Sequence, residues 1–283
     1  MKIGYQGIDG AYSSIAARKL SPDSEYIGYP DFYSCFNELS NDNIDAMVLP
    51  LENSYAGRVS DVHRLIKDFE LFFHAEFIMK IEHQLLVKKD TQLDEIEEIF
   101  SHEQAVMQCE KTLKKFFADK YNRNVTISKF HDTAMAAELA ASSNRKIAAI
   151  ASTRAAEIFD LKIGLANIND DPDNHTHFVL LSKNPKYNPK LPDKKYITAF
   201  IFEVGNEYGS LSEVLNILSK NKISLAKIES YIPGCIKSDS AKFFVSCESH
   251  IDDQTWVDSM IEVNKICKYI HIFGCFEGDA IRF

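Results

Sequence analysis

The chain has 283 residues, 45% hydrophobic and 26% charged, with a formal charge of −9, which is ordinary for a globular protein and excludes a disordered or fibrous class. That charge argues against nucleic acid or an anionic membrane surface as the main partner, since both need a basic face. An anionic substrate therefore requires a locally positive pocket, and the length fits about two domains.

In chain order, strands are expected at residues 2–5, 46–49, 76–87, 98–100, 125–128, 148–151 and 178–181. Between them lie amphipathic helices. Val59, Val62, Leu65, Ile66 and Phe69 share one helical face, as do Val106, Cys109, Leu113 and Phe116. This alternation predicts an α/β architecture with largely parallel pairing, in which the strand at 178–181 returns to close the sheet begun at the N-terminus. Pro185, Pro189 and Pro192 then mark a semi-rigid linker, because proline withholds a backbone donor and fixes φ. The pattern restarts as a strand at 196–204, a helix at 210–221, strands at 223–231 and 242–248, a helix at 253–268 and a strand at 269–276. That βαββαβ order is ferredoxin-like. Ser210 with Glu213 has the spacing of a capping box at the first of these helices. Domains are thus expected at 1–183 and 196–283, with a linker at 184–195.

The six cysteines show no paired spacing and are expected to be reduced. Met1-Lys2-Ile3-Gly4-Tyr5 lacks the apolar core of a signal peptide, and no apolar run approaches the roughly 18 residues of a membrane span, so a cytoplasmic protein is expected.

Several junctions offer polar groups at strand ends. Gly7-Ile8-Asp9-Gly10 follows a strand and leads through Tyr12-Ser13-Ser14 into a helix, whose N–H groups and positive end can face a carboxylate; a tight turn with an N-cap is the plainer explanation. Leu49-Pro50-Leu51-Glu52-Asn53-Ser54 ends another strand, where α/β proteins place ligands; Glu52 is equally readable as a cap. Ser101-His102 repeats that geometry, with Gln104 and Gln108 behind it, although a lone histidine at a helix start is more often a cap. In Asp173-Asn174-His175-Thr176-His177-Phe178, an acidic loop runs into an apolar strand. His175 and His177 share one face of that strand and Thr176 points to the other. No metal is expected, because no HExxH and no carboxylate at ligand spacing accompanies the two imidazoles. Cys109 belongs to an apolar helix face, and no Gly-x-Ser-x-Gly elbow appears.

These blocks, in this order, resemble the prephenate dehydratase family over nearly the whole chain. GYQGIDGAYS from Gly4 is similar to its opening glycine loop, LPLENSYAGRV from Leu49 to its Pro-x-Glu-Asn-(Ser/Thr) block, FSHEQAVMQC from Phe100 to its Ser-His-x-Gln segment, and NHTHF from Asn174 to its Thr-Arg-Phe block. The tail resembles an ACT domain, with Gly209-Ser210-Leu211 and Ile228-Glu229-Ser230 at its signature segments. The resemblance implies a two-lobed, periplasmic-binding-protein-like α/β catalytic domain followed by the ACT module. It also implies phenylalanine as effector, held near Gly209, Ser210, Leu211, Glu229 and Ser230 of a homodimer or homotetramer. The chain departs from the family pattern at His177, which stands where the family has arginine, at Tyr231-Ile232-Pro233 in place of Arg-Pro, and at Ile8 and Ala11.

Prephenate loses carbon dioxide and a ring hydroxyl to become aromatic, so the electron sink is in the substrate and no cofactor is expected. The resemblance assigns the departing hydroxide to Thr176. A threonine hydroxyl is too weak an acid to deliver a full proton at neutral pH, so it is read as a hydrogen-bond donor to the developing charge. Glu52, Asn53, Ser54, Ser101, His102, Gln104, Asn174, His177 and Phe178 are the expected substrate-binding set. His177 replaces a permanent cation by a group that titrates near neutrality, which implies activity that falls as pH rises. Two other readings remain: an arogenate dehydratase, and a non-catalytic sensor of small molecules.

Overall fold

The computed structural model describes residues 1–66, 71–185, 187–231 and 239–282. Phe69 of the expected helical face, and Ile232 and Pro233 of the altered tail segment, lie outside them. The chain divides into two compact units, Met1–Phe69 with Phe77–Leu180, and Glu70–Glu76 with Leu181–Phe283.

The first unit opens with β1 (Lys2–Gln6), α1 (Tyr12–Leu20), β2 (Glu25–Tyr29), α2 (Phe32–Ser40), β3 (Ala46–Asn53), β4 (Gly57–Arg58) and α3 (Ser60–Ile66). After β5 (Phe72–Lys80) come β6 (Gln84–Val87), β7 (Glu98–His102), α4 (Glu103–Tyr121), β8 (Thr126–Phe130), α5 (Thr133–Ser142), β9 (Ile147–Ala151), α6 (Thr153–Ile158), β10 (Lys162–Leu165) and β11 (His175–Ser182). One sheet has the order β2-β1-β3-β11-β5, with β4 beside β3; a second has the order β10-β6-β9-β7-β8. The result is the two-lobed, periplasmic-binding-protein-like arrangement, with β11 returning beside β3 in the sheet that β1 begins.

Parallel pairing holds for β1 with β2 and β3, and for β7 with β8 and β9. It does not hold throughout: β6 runs antiparallel to both β9 and β10. The expected single strand at 76–87 is also two strands. Its break at Ile81, Glu82 and His83 is a crossover from one sheet to the other, and 166–174 is the return. The Ile81 N–H donates to the Asn174 carbonyl at 2.7 Å and the Ile168 N–H to the His83 carbonyl at 2.9 Å, which ties the two crossovers together. The expected strand merges two apolar segments, residues 77–79 and 85–87, across the polar residues Lys80, Glu82, His83 and Gln84 that mark the break.

Central strands bury both faces, so they read as continuous apolar runs: Met47, Val48 and Leu49 of β3 are fully buried. In the second lobe, α4 packs Ala105, Val106, Cys109, Leu113 and Phe117 against β7 and β9. Each large apolar side chain so buried contributes about 1.5–3 kcal/mol. The helix ends at Asn122 in the left-handed region (φ 51), whose N–H bonds back to the Ala118 carbonyl. Between the lobes, Gly7 (φ +102) and Gly10 (φ +95) adopt backbone that side chains rarely tolerate. The Gly10 carbonyl accepts from the Ser152 hydroxyl at 2.7 Å, so this turn docks on the second lobe.

The second unit contains β12 (Tyr196–Gly205), α7 (Ser210–Lys220), β13 (Ser224–Tyr231), β14 (Ser240–Glu248), α8 (Gln254–Ile266) and β15 (Tyr269–Glu277), in the expected βαββαβ order. Its sheet, β13-β14-β12-β15, is antiparallel throughout. Phe200, Phe202, Val214, Leu218, Trp256 and Val263 form the core under the helices. On the other face Phe73 stacks on Phe273 with ring centroids 5.2 Å apart. Gly274 allows that approach, since a Cβ there would lie 2.2 Å from the Phe73 carbonyl oxygen. The capping box expected at α7 is absent. Its N-cap is Gly209 at φ 91, without a side-chain cap, and the Ser210 hydroxyl donates to the Glu207 carbonyl instead. Ser210 sits one position too late to cap. Among the described residues no helix is long and apolar enough to cross a membrane.

Candidate active site

A cavity of about 700 Å³ lies within the first unit, with walls from both lobes. Strand ends and helix starts build it. Among the described residues its wall includes the starts of α1 (Tyr12, Ser13), α2 (Asp31, Phe32), α3 (Ser60, Asp61), α4 (Gln104, Ala105) and α5 (Asp132, Thr133). Helix N-termini carry about half a positive charge each, and no side chain caps α1, so its first N–H groups are available to a carboxylate. Arg58 is the one arginine or lysine among the described wall residues. The groups of this wall that can meet an anion are therefore the uncapped start of α1 and Arg58, since the starts of α2, α4 and α5 are capped by Asp31, His102 and Asp132. Three carboxylates, Asp31, Asp61 and Asp132, share the wall. Asp132 accepts from the Ala134 and Met135 N–H groups, yet burial pushes its carboxyl above the usual range.

Thr176 lies on this wall, 8% exposed, at the start of β11. Its Oγ1 accepts a hydrogen bond from Asn53 Nδ2 at 3.0 Å. An amide NH₂ cannot accept, so the hydroxyl hydrogen is directed elsewhere, and Phe178, two residues on, lines the same cavity. Asn53 is held in turn, its Oδ1 accepting from the Tyr55 and Ala56 N–H groups at 3.0 and 2.8 Å.

Of the expected substrate-binding set, Asn53, His102, Gln104 and Phe178 line the cavity with Thr176. Five do not. Ser101 is fully buried and donates to the Ile150 carbonyl at 2.7 Å. Ser54 donates to the Asp173 carbonyl and accepts from the His175 N–H, so it fastens the loop that precedes Thr176. Asn174 is buried among other amides. Glu52 and His177 face one another on the side away from Thr176, with His177 Nδ1 3.8 Å from Glu52 Oε1. His102 is the N-cap of α4 as well as a wall residue, its Nδ1 accepting from the Gln104 N–H at 3.3 Å. In the second unit, Glu229 is 3.4 Å from Lys227, and Gly209 has open space around it.

Sequence reasoning gave no site role to His83, Gln108, Arg58 and Tyr12. Gln108 Oε1 is 2.9 Å from His83 Nε2, and the Tyr12 hydroxyl is 3.2 Å from His83 Nδ1. Burial pushes the His83 imidazole down to about 4, so it is neutral at physiological pH. The unfolded chain, with an ordinary histidine, takes up a proton below about 6.5 that the folded chain refuses. This stabilisation is therefore complete above about pH 6.5 and is lost as pH falls through about 4, by up to roughly 3 kcal/mol. Urea midpoints at pH 7 and pH 4.5 should drop more in the native protein than in His83→Gln; equal drops would refute the assignment. Among the described residues no group of three or more His, Cys, Asp or Glu side chains is arranged to hold a metal.

The family model for prephenate dehydratase matches residues 3–186. The bifunctional chorismate mutase/prephenate dehydratase of Buchnera aphidicola is 31% identical over 284 residues, 98% of this chain and 71% of that protein. Arogenate dehydratase/prephenate dehydratase 1 of Arabidopsis thaliana, a chloroplastic protein, is 31% identical over 297 residues, 100% of this chain and 73% of its own length. Among solved structures, GqqA, described as a quorum quenching acylase, superposes with a TM-score of 0.88 at 27% identity over all of both chains. The prephenate dehydratase of Arthrobacter aurescens in complex with L-Phe has a TM-score of 0.86 at 21% identity, over 100% of this chain and 92% of that one.

Proposed function

The chain belongs to the prephenate dehydratase family, a carbon–oxygen lyase of aromatic amino-acid biosynthesis, and from that premise we propose that it converts prephenate to phenylpyruvate with Thr176 as the group that meets the leaving hydroxide. In this reaction the ring carboxylate departs as carbon dioxide, its bonding electrons enter the ring, and the C–O bond at the far side breaks. The hydroxide collects a proton and leaves as water. Aromaticity supplies the driving force, so the protein has to orient the substrate and ease the C–O rupture.

The observation that carries this reading is the Asn53–Thr176 hydrogen bond at the cavity wall. It leaves the hydroxyl hydrogen to be donated, and donation from Asn53 also polarises that O–H bond. The uncapped start of α1 and Arg58 suit the two carboxylates of prephenate. Incubating purified protein with prephenate and with arogenate decides between the two acids. Phenylpyruvate from prephenate at the higher kcat/KM supports the proposal, and phenylalanine from arogenate alone overturns the substrate.

The second unit is proposed to be an ACT module, spanning 196–283, that senses phenylalanine through Gly209, Ser210, Leu211, Glu229 and Ser230 in a cytoplasmic homodimer or homotetramer. Its βαββαβ topology supports this. His177 is proposed to brace the strand through Glu52 rather than to touch substrate. Protonated, it makes the ion pair that arginine would make at every pH, so activity should fall as pH rises. His177→Arg should flatten that fall in a pH–rate profile, whereas an unchanged profile would remove His177 from the account.

A further inference from the structure

We infer that Asn174 is a positioning residue that directs the Thr176 hydroxyl through a closed ring of three side-chain amides without touching substrate. The inference rests on the reading of Thr176 as a hydrogen-bond donor. In the ring, Asn53 Nδ2 donates to Asn174 Oδ1 at 2.6 Å, Asn174 Nδ2 donates to Gln108 Oε1 at 3.0 Å, and Gln108 Nε2 donates to Asn53 Oδ1 at 3.3 Å. Such a ring closes equally well in the opposite sense if every amide exchanges its oxygen and nitrogen.

Backbone groups permit one sense only. Asn53 Oδ1 is fixed by the Tyr55 and Ala56 N–H groups, and the two hydrogens of Asn53 Nδ2 are shared among Asn174 Oδ1, the His175 carbonyl at 3.0 Å and Thr176 Oγ1, all of them acceptors. In the tautomer with its proton on Nε2, His83 donates to Gln108 Oε1 in the same sense. In this sense Asn53 offers its NH₂ to Thr176, which makes the threonine oxygen an acceptor on the ring side and sends its hydrogen into the cavity. Reversed, the ring would offer Thr176 an oxygen and draw the hydroxyl away from the substrate. Asn174, 1% exposed and not on the cavity wall, bonds both other amides.

Asn174→Asp tests this, because the two protonation states of the new side chain have opposite effects. A protonated carboxyl has one O–H donor and one carbonyl acceptor and reproduces the amide; an ionised one only accepts, which turns the Gln108 NH₂ toward it and sets the Gln108 oxygen against Asn53 Oδ1. The titratable groups nearby are His83, on Gln108, and the Asp173–His175 pair at 3.3 Å.

With the full chain and prephenate, kcat of Asn174→Asp should be about 100-fold below the native value at pH 8, with KM within about twofold. It should regain about tenfold relative to the native profile by pH 6, while Asn174→Ala stays slow at both. A flat relative profile, or a loss confined to KM, would overturn the inference. If Asn174→Asp does not fold, Asn174→Ala decides: a kcat loss at constant KM supports the ring, and a KM loss alone refutes it. Thr176→Ala in the same assay separates the two levels. Full turnover there sinks the donor reading itself, whereas a slow Thr176→Ala beside fast Asn174 variants sinks the ring alone.

Discussion

Thr176→Ala should lower kcat for prephenate by about 10²–10³-fold while KM changes little, because one donor aimed at developing oxyanion charge in a dry site is worth about 3–4 kcal/mol at the transition state. In the ground state the leaving hydroxyl is neutral and binds its donor weakly; as the C–O bond lengthens the oxygen gains charge and the same hydrogen bond strengthens. The loss therefore falls on kcat and not on binding. Thr176→Ser keeps the Oγ donor and the bond from Asn53, and should retain activity within about tenfold. Thr176→Val matches the shape of threonine without its hydroxyl and should behave like alanine. Steady-state rates with the four proteins check the order. Equal activity of the serine and valine forms would show that shape, not the hydroxyl, is what the position supplies.

The sequence made Thr176 and Asn53 legible because each ends or begins a strand whose apolar run is visible, and such junctions point side chains at ligands. The βαββαβ tail was legible for the same reason: its strands and helices are separated by turns and differ in period. The remaining features depend on contacts that no local pattern records. Ser101 stands at a strand end as Thr176 does, but its neighbour β9 offers the Ile150 carbonyl, and the hydroxyl turns inward. His83 lies among Lys80, Glu82 and Gln84, between two apolar segments that read as one strand, and only the crossover between sheets makes it a bend beside Gln108. Asn174 and Gln108 are 66 positions apart, so their bond belongs to the fold alone. The strands β2 and β10 went unseen because EYIGY and KIGL alternate weakly and sit at sheet edges, where pairing substitutes for burial.

Arg282→Met should destabilise the second unit by roughly 3–5 kcal/mol, a large share of the stability of a domain of that size. Glu76 has a fully buried side chain, and Arg282 grips it with Nε and Nη2 at 2.8 Å each, while the Asp279 N–H adds a third bond at 2.9 Å. Removing the guanidinium takes its cation and two hydrogen bonds from a carboxylate buried in the interior. The pair itself need not be strongly stabilising, since taking both ions out of water costs about as much as their attraction returns. Glu76→Met combined with Arg282→Met should therefore recover most of the loss, and the size of that recovery measures the cost of burying the carboxylate without its arginine. Trp256 is the sole tryptophan and sits in the core of this unit, so its fluorescence follows this transition specifically during urea unfolding. A midpoint for Arg282→Met within about 0.5 kcal/mol of the native protein would place the pair among exposed ion pairs. A double variant no more stable than the single would show that the cost comes from lost packing and not from the carboxylate deprived of its arginine.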